Sequence, residues 1–259
     1  MPSDEKTGYI NFDEYINSEI FFKNNIYFAP ALHGKLEFGI SMDILVKCIE
    51  PDCLAVELPH QAKAPFIDAV NRFPYISVLC VESAGPLQYQ VVEPQDPTAA
   101  AVRRFGTARS GHIHFIDHFC ENYGEYSGNF PDSYSLKVVG YERYCREYYE
   151  SQKDIALSGR EPADIAREQY MAATLQSLSG RYKKILFVCG LYHYPAIFKI
   201  DHEQFEAIVS FTATYTGQAV KGETVEVSGI VEQTQLGVKR IVIGSSREAH
   251  GEYIKVIRA

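Results

Sequence analysis

The amino-acid sequence predicts an α/β protein with a mostly parallel central sheet flanked by helices, followed by a C-terminal β-rich extension. Two observations carry this. Between residues 24 and 190, short apolar runs alternate with segments of helical period, an order that builds a parallel sheet covered on both faces. From about residue 205 the alternation gives way to β-rich segments separated by glycine or charged turns. The expected division is an α/β domain over residues 1–204 and a small β module or extension over 205–259.

Each element has a local reason. "NNIYFAPAL" reads as the first strand. "FGISMDILVKCI" places Phe38, Met42, Leu45 and Ile49 on one helical face, and Pro51 ends that helix by disfavouring helical geometry at Glu50. "CLAVELP" is a short continuous apolar strand, "QAKAPFIDAVNRF" the next helix and "YISVLCVE" a third strand. "LQYQVVEP" is either a further strand or part of a longer excursion. "DPTAAAVRRFGTA" opens with Asp-Pro, where the aspartate caps the helix and the proline suits its first turn. "HIHFID" is another strand. Glu121 to Ser135 is rich in turn-forming residues and reads as a loop. "VVGYERYCREYYESQ" and "EPADIAREQYMAATLQSL" read as helices, and "KKILFVCG" as the closing strand. The tail segments "AIVSFTATYTG", "ETVEVSGIVEQT", "VKRIVIGSS" and "EYIKVIRA" form a separate β module or add to the main sheet. Their edges offer a surface for a protein partner or for a second copy of the chain.

Bulk properties narrow the function classes. A chain of 259 residues can bury one sizeable core with a small appendage. A formal charge of -8, with basic residues in nothing larger than pairs such as Arg103-Arg104, argues against nucleic acid as a partner. No apolar run is long enough to span a bilayer, and the acidic start "MPSDEKTG" is unlike a signal peptide, so a cytoplasmic location is expected. The six cysteines form no C-x-x-C pair, and buried, reduced thiols are expected; a nucleophilic Cys189 beside His193 is the minority alternative.

The chemistry-bearing residues fall at strand ends. In open α/β sheets, ligands bind outside the carboxyl ends of the strands. The first strand leads to His33, the second carries Glu57, "HIHFID" ends at Asp117, and "ILFVCG" leads to His193. Two imidazoles and two carboxylates on one edge suit a divalent metal such as zinc or manganese. They suit equally a metal-free acid–base pair, with histidine as base and glutamate orienting it. His112 and His114 share one face of a strand and read as packing or surface residues. His60, His202 and His250 have no supporting context.

Four pieces in order, "YFAPALHG", "PDCLAVELP", "AREQYMAATLQSL" and "ILFVCGLYH", resemble the TraB, TIKI, ChaN and erythromycin-esterase-like superfamily over about residues 24–200. The resemblance implies that His33, Glu57, Arg167 and His193 line one pocket. Members include metal-dependent proteases with two Gly-x-x-His motifs and a glutamate, and esterases that use histidine and glutamate without an essential metal. Residues 30–33 read Pro-Ala-Leu-His, so the glycine of the first protease motif is missing. The expected activity is a metal-assisted hydrolase cleaving an ester, amide or phosphate bond of a small-molecule or peptide substrate, with Mn, Zn or Co as cofactor. Glu57 would activate water or bind the metal, His33 and His193 would be ligands or proton carriers, and Asp117 would complete the shell. Arg167 would clamp an anion or developing oxyanion, or else be a helix-surface charge near Glu161 or Glu168. The competing expectation is a non-catalytic ligand-binding or regulatory subunit of a larger assembly.

Overall fold

An aromatic lead-in brings the chain to the sheet. The computed structural model describes residues 10–81, 88–118, 130–152 and 161–200, and beyond them the strand backbone at 208–211, 228–233, 239–243 and 253–255. After α1 (Phe12–Ile16), β1 (Phe22–Lys23) pairs antiparallel with β2 (Ile26–Ala31). Helix α2 (Leu36–Ile49) ends where Glu50 turns left-handed (φ 50°) ahead of Pro51. Then follow β3 (Cys53–Pro59), α3 (Lys63–Asn71), β4 (Ser77–Val81), β5 (Gln88–Val92), α4 (Pro97–Phe105) and β6 (Ile113–Asp117). The unit closes with α5 (Leu136–Val139), α6 (Tyr141–Gln152), α7 (Pro162–Ser179), β7 (Ile185–Gly190) and α8 (Tyr194–Lys199).

The central sheet is ordered β1-β2-β7-β3-β6, and β2, β7, β3 and β6 are all parallel. The last of these strands in sequence therefore lies in the middle, with Ala31 opposite Gly190 on one side and Val56 opposite Val188 on the other. Composition explains this: "ILFVCG" is buried along its whole length, as a strand covered on both faces must be. Helices α2 and α4 pack together against this sheet, and α7 packs on β6 and α8. The carboxyl ends of four adjacent parallel strands thus share one edge.

The segment "YISVLCVE" does form a strand, but not in this sheet. As β4 it pairs antiparallel with β5 in a separate two-stranded ribbon, with Val78 opposite Val91 and Cys80 opposite Tyr89. Ser77 and Leu79 are buried while Val78 and Cys80 are exposed, so one face only is covered. Cys80 and Cys48 are exposed, against expectation; Cys53, Cys145 and Cys189 are buried, and Cys120 lies outside the described residues. Most of the expected loop, 121–129, also lies outside them, and Ser133–Ser135 form a short 3-10 turn.

Two devices fix the edge that carries the candidate residues. Tyr15, Tyr141 and Tyr194 are completely buried, and their hydroxyls donate to the carbonyls of Phe28 (2.7 Å), Pro30 (2.8 Å) and Ile20 respectively. These rings fill the core while their polar tips satisfy backbone acceptors, which ties α1 and α6 to β2 and α8 to the turn before β1. Asp96 caps α4 as the sequence predicts, accepting from Thr98 N (2.9 Å) and Ala99 N (3.1 Å). Its other oxygen accepts from Gly34 N (3.3 Å), so the cap also anchors the turn after β2.

The tail forms its own sheet. β8 (Ile208–Phe211), β9 (Ser228–Gln233), β10 (Lys239–Ile243) and β11 (Tyr253–Lys255) are ordered β11-β9-β10-β8, with β10 and β8 parallel and the other pairs antiparallel. The compact units divide between residues 200 and 201, four residues before the expected boundary. No helix among the described residues is long and apolar enough to cross a membrane.

Glu142 gives the fold a pH dependence. It is 2% exposed at the start of α6, and its Oε1 has no hydrogen-bond partner among the described residues. Burial lifts its carboxyl to about 7, against the pull of the backbone amides of Glu142 and Asn11. The folded state therefore holds this proton more tightly than the unfolded chain, and stability falls as pH rises from the ordinary carboxylate range through about 7. Glu142→Gln is expected to be more stable than wild type by roughly 1–3 kcal/mol at about pH 8, with the difference vanishing toward acid. Urea denaturation across that range measures it.

Candidate active site

The site is assembled on one guanidinium. Helix α7 carries Asp164, Arg167 and Glu168, whose i, i+3, i+4 spacing places them on one face. Arg167 is buried (8% exposed) at the carboxyl edge of the sheet. Its Nε donates to both oxygens of Asp117 (3.1 and 3.2 Å), the last residue of β6, and Nη2 donates to Asp117 Oδ2 at 2.7 Å. Nη2 also reaches Glu57 Oε1 of β3 at 3.2 Å. Nη1 lies 3.4 Å from Asp164 Oδ1 and 3.2 Å from His193 Nε2.

Glu57 is held from below by β7. Its Oε2 accepts the Gly190 N–H at 2.5 Å, across 133 residues of sequence. A Cβ on Gly190 would stand 3.2 Å from that oxygen and 3.5 Å from the other, so the absence of a side chain is what admits the carboxylate. Burial raises the proton affinity of Glu57, and the neighbouring Asp117 charge raises it further; His33, Arg167 and the Gly190 amide oppose them. His193 follows β7 by one turn, with its N–H on the Gly190 carbonyl (3.1 Å), and precedes α8. Its Nδ1 is 2.7 Å from Glu168 Oε1, and its Nε2 is 3.6 Å from Glu57 Oε1.

Glu57, Asp117, Arg167 and His193, all expected from the sequence, thus meet. His33 stands apart. It follows the neighbouring strand β2, keeps 47% of its side chain exposed, and pairs through Nδ1 with Asp96 Oδ2 at 3.7 Å. Partial burial works against its charge, and the Asp96 carboxylate overcomes this, lifting the imidazole to about 9. The charge of His33 is nevertheless felt by Glu57. Arg167 is neither a helix-surface charge nor a vacant anion clamp, because each of its nitrogens faces a group of the protein itself.

Sequence reasoning passed over Glu168 as a site residue, and Asp164 with it. The usable signal was the acid–arginine–acid spacing on one helix face. His114 packs against Tyr182 (Nε2 to hydroxyl 2.9 Å), and burial with nearby basic groups depresses it to about 4, in keeping with a packing role. Cys189 is fully buried, which pushes its thiol well up and opposes the nucleophile alternative.

Among the described residues no group of three or more His, Cys, Asp or Glu side chains is arranged to hold a metal ion. The expected donors Glu57, Asp117 and His193 converge, but they converge on the Arg167 guanidinium, which occupies the position a cation would take; His33 faces Asp96. As arranged, the donor set does not fit a divalent ion.

No family model matches the chain, and no solved structure matches it. An uncharacterized protein of Methanocaldococcus jannaschii is 41% identical over 71 residues, which is 25% of this chain. The match spans about a fifth (21%) of that protein's length.

Removing the guanidinium tests its structural weight. Arg167→Ala leaves Glu57 and Asp117 buried without their cation, and a loss of roughly 3–5 kcal/mol is expected in urea denaturation near neutral pH. The loss should shrink in acid, where the orphaned carboxylates take up protons.

Proposed function

We propose that the chain is a hydrolase of the TraB, TIKI and erythromycin-esterase-like type, acting by acid–base chemistry on an ester or amide bond of a small-molecule or peptide substrate. One observation carries the reading. A buried carboxyl with raised proton affinity, Glu57, lies 3.6 Å from the Nε2 of a buried histidine at the carboxyl edge of a parallel sheet. In this reading His193 takes a proton from water as the water oxygen bonds to the acyl carbon. The same proton then passes to the leaving oxygen or nitrogen as its bond to carbon breaks. Glu57 holds the water toward the carbonyl, and Arg167 holds Glu57 in place. Phosphate esters suit the site less well: Glu57, Asp117 and Asp164 already engage the Arg167 guanidinium, whereas phosphoryl transfer calls for cations left over for the substrate.

A second reading, a non-catalytic ligand-binding or regulatory module, draws support from the 3.2 Å contact of Arg167 Nη1 with His193 Nε2. That contact occupies the nitrogen a catalytic base must offer. Hydrolysis needs it to open toward the substrate; a purely structural network does not.

The deciding assay uses the full-length chain with p-nitrophenyl acyl esters, peptide p-nitroanilides and p-nitrophenyl phosphate, with EDTA or with added Mn²⁺, Zn²⁺ or Co²⁺. Acyl-ester or anilide turnover is expected, insensitive to EDTA, absent on the phosphate and reduced at least about 100-fold in Glu57→Gln and His193→Ala. Turnover abolished by EDTA and restored by one metal would establish the metal-assisted form instead. No turnover of any acyl substrate would remove the hydrolase reading and favour the binding module.

A further inference from the structure

His193 is gripped on both ring nitrogens, and the two grips specify one proton position. We infer that Glu168 is the positioning residue of His193, a buried carboxylate that holds the ring as its Nδ1–H tautomer and aims the bare Nε2 toward Glu57. Its catalytic consequence rests on the hydrolase reading; the tautomer itself is a property of the resting protein.

The chemistry of the partners dictates the assignment. An ionised carboxylate only accepts, so the 2.7 Å contact with Glu168 Oε1 requires the hydrogen on Nδ1. A guanidinium only donates, so the 3.2 Å contact with Arg167 Nη1 requires a lone pair on Nε2. The opposite tautomer would set lone pair against carboxylate on one side and N–H against N–H on the other. Glu168 and His193 are 3% and 6% exposed, so water cannot relieve that mismatch.

The grip is built on rigid elements. Glu168 sits in the second turn of the 18-residue helix α7, next to Arg167, whose side chain is fixed by Asp117. His193 is held by its own N–H on Gly190 O and by its C=O, which accepts from Ile197 N at 3.1 Å. The ring is therefore pinned between a helix and a strand end, the support a precise site needs. Asp164 supplies the remaining part. It already lies 3.4 Å from Arg167 Nη1, so that nitrogen has a partner to keep when it lets go of Nε2.

With Nε2 released, the proton path closes. The proton leaving water binds Nε2, and the imidazolium then lies between Glu168 at Nδ1 and Glu57 Oε1 at Nε2. Glu168 accepts the Nδ1–H throughout and stabilises the charged ring without taking the proton. Handing the proton to the leaving group returns His193 to the neutral Nδ1–H form.

The test reads the ring directly. Full-length protein labelled with ¹⁵N at histidine is studied by long-range ¹H–¹⁵N correlation for wild type, Glu168→Gln and Glu168→Met, with His193→Gln identifying the signals. The wild-type His193 is expected to show the Nδ1–H pattern. Glu168→Met should leave the Nδ1–H without an acceptor, so that it exchanges faster with water and the ring protonates at lower pH than in wild type, while Arg167 still favours a bare Nε2. Glu168→Gln should keep the tautomer, because its amide oxygen accepts, while the ring protonates at lower pH than in wild type. On an acyl ester, both variants should lose roughly 10²–10⁴-fold in kcat with KM little changed. An Nε2–H ring in wild type, or a ring whose Nδ1–H exchange and protonation are unchanged in Glu168→Met, overturns the inference. The expected spectra without ester turnover would sink the hydrolase reading and leave the assignment of Glu168 standing.

Discussion

Burial of one arginine organises the carboxyl edge of this sheet. Glu57 and Asp117 end adjacent strands with almost no solvent exposure, and two such carboxylates side by side are costly to ionise away from water. Arg167 offsets that cost with a planar fork that meets Asp117 through two nitrogens and Glu57 through one of them. The fork reaches them because α7 packs along β6. Shifting the helix by one residue would swing Arg167 about 100° away from the sheet and leave both acids unpaired. The register of α7 and the chemistry of the edge are thus one constraint.

A second constraint comes from the strand that closes the sheet. β7 lies between β2 and β3 although it follows both by more than a hundred residues, as the 133-residue span of the Gly190–Glu57 bond records. Its approach is guided at the opposite end by Asp52, which accepts from Lys183 N (2.9 Å) and Lys184 N (2.8 Å) while Lys184 O accepts from Asp52 N and Cys53 N. These bonds hold the Asp52 carboxyl below its ordinary range despite some burial. Lys184 then sets the register that brings Gly190, free of a Cβ, under Glu57. No local segment contains the site. It exists only when the most non-local strand is in place, so folding and site formation coincide.

Much of this was legible in the sequence, for identifiable reasons. Apolar runs ending in His33, Glu57, Asp117 and His193 mark strand ends, because a charged side chain interrupts a doubly covered strand only where it meets an edge. Adjacency was less legible. Nothing in "ILFVCG" beyond its unbroken apolarity says that it enters the centre, and "YISVLCVE" is as apolar while forming a half-exposed ribbon instead. Glu168 escaped notice because carboxylates on a helix ordinarily face solvent, and only the tertiary position of His193 turns this one inward. The Asp-Pro pair at Asp96 marks a helix cap in the sequence, but the second oxygen of that carboxylate draws in Gly34 and His33, a use no local pattern encodes.

The two histidines at the neighbouring ends of β2 and β7 consequently play unequal parts. His33, half open to solvent and lifted to about 9 beside Asp96, stays charged through the neutral range, and its field lowers the proton affinity of Glu57. His193 is buried, bonded on both ring nitrogens, and reaches Glu57 by contact rather than by field. The charged His33 on one side and the buried His193 ring on the other bracket a carboxyl whose affinity is balanced between burial and the Asp117 charge, which raise it, and His33, Arg167 and the Gly190 amide, which lower it. Such a balance leaves Glu57 holding a proton more tightly than an isolated exposed carboxylate does. The asymmetry follows from where each histidine's carboxylate partner resides: Asp96 at the start of α4, outside the cluster, and Glu168 on α7, within it.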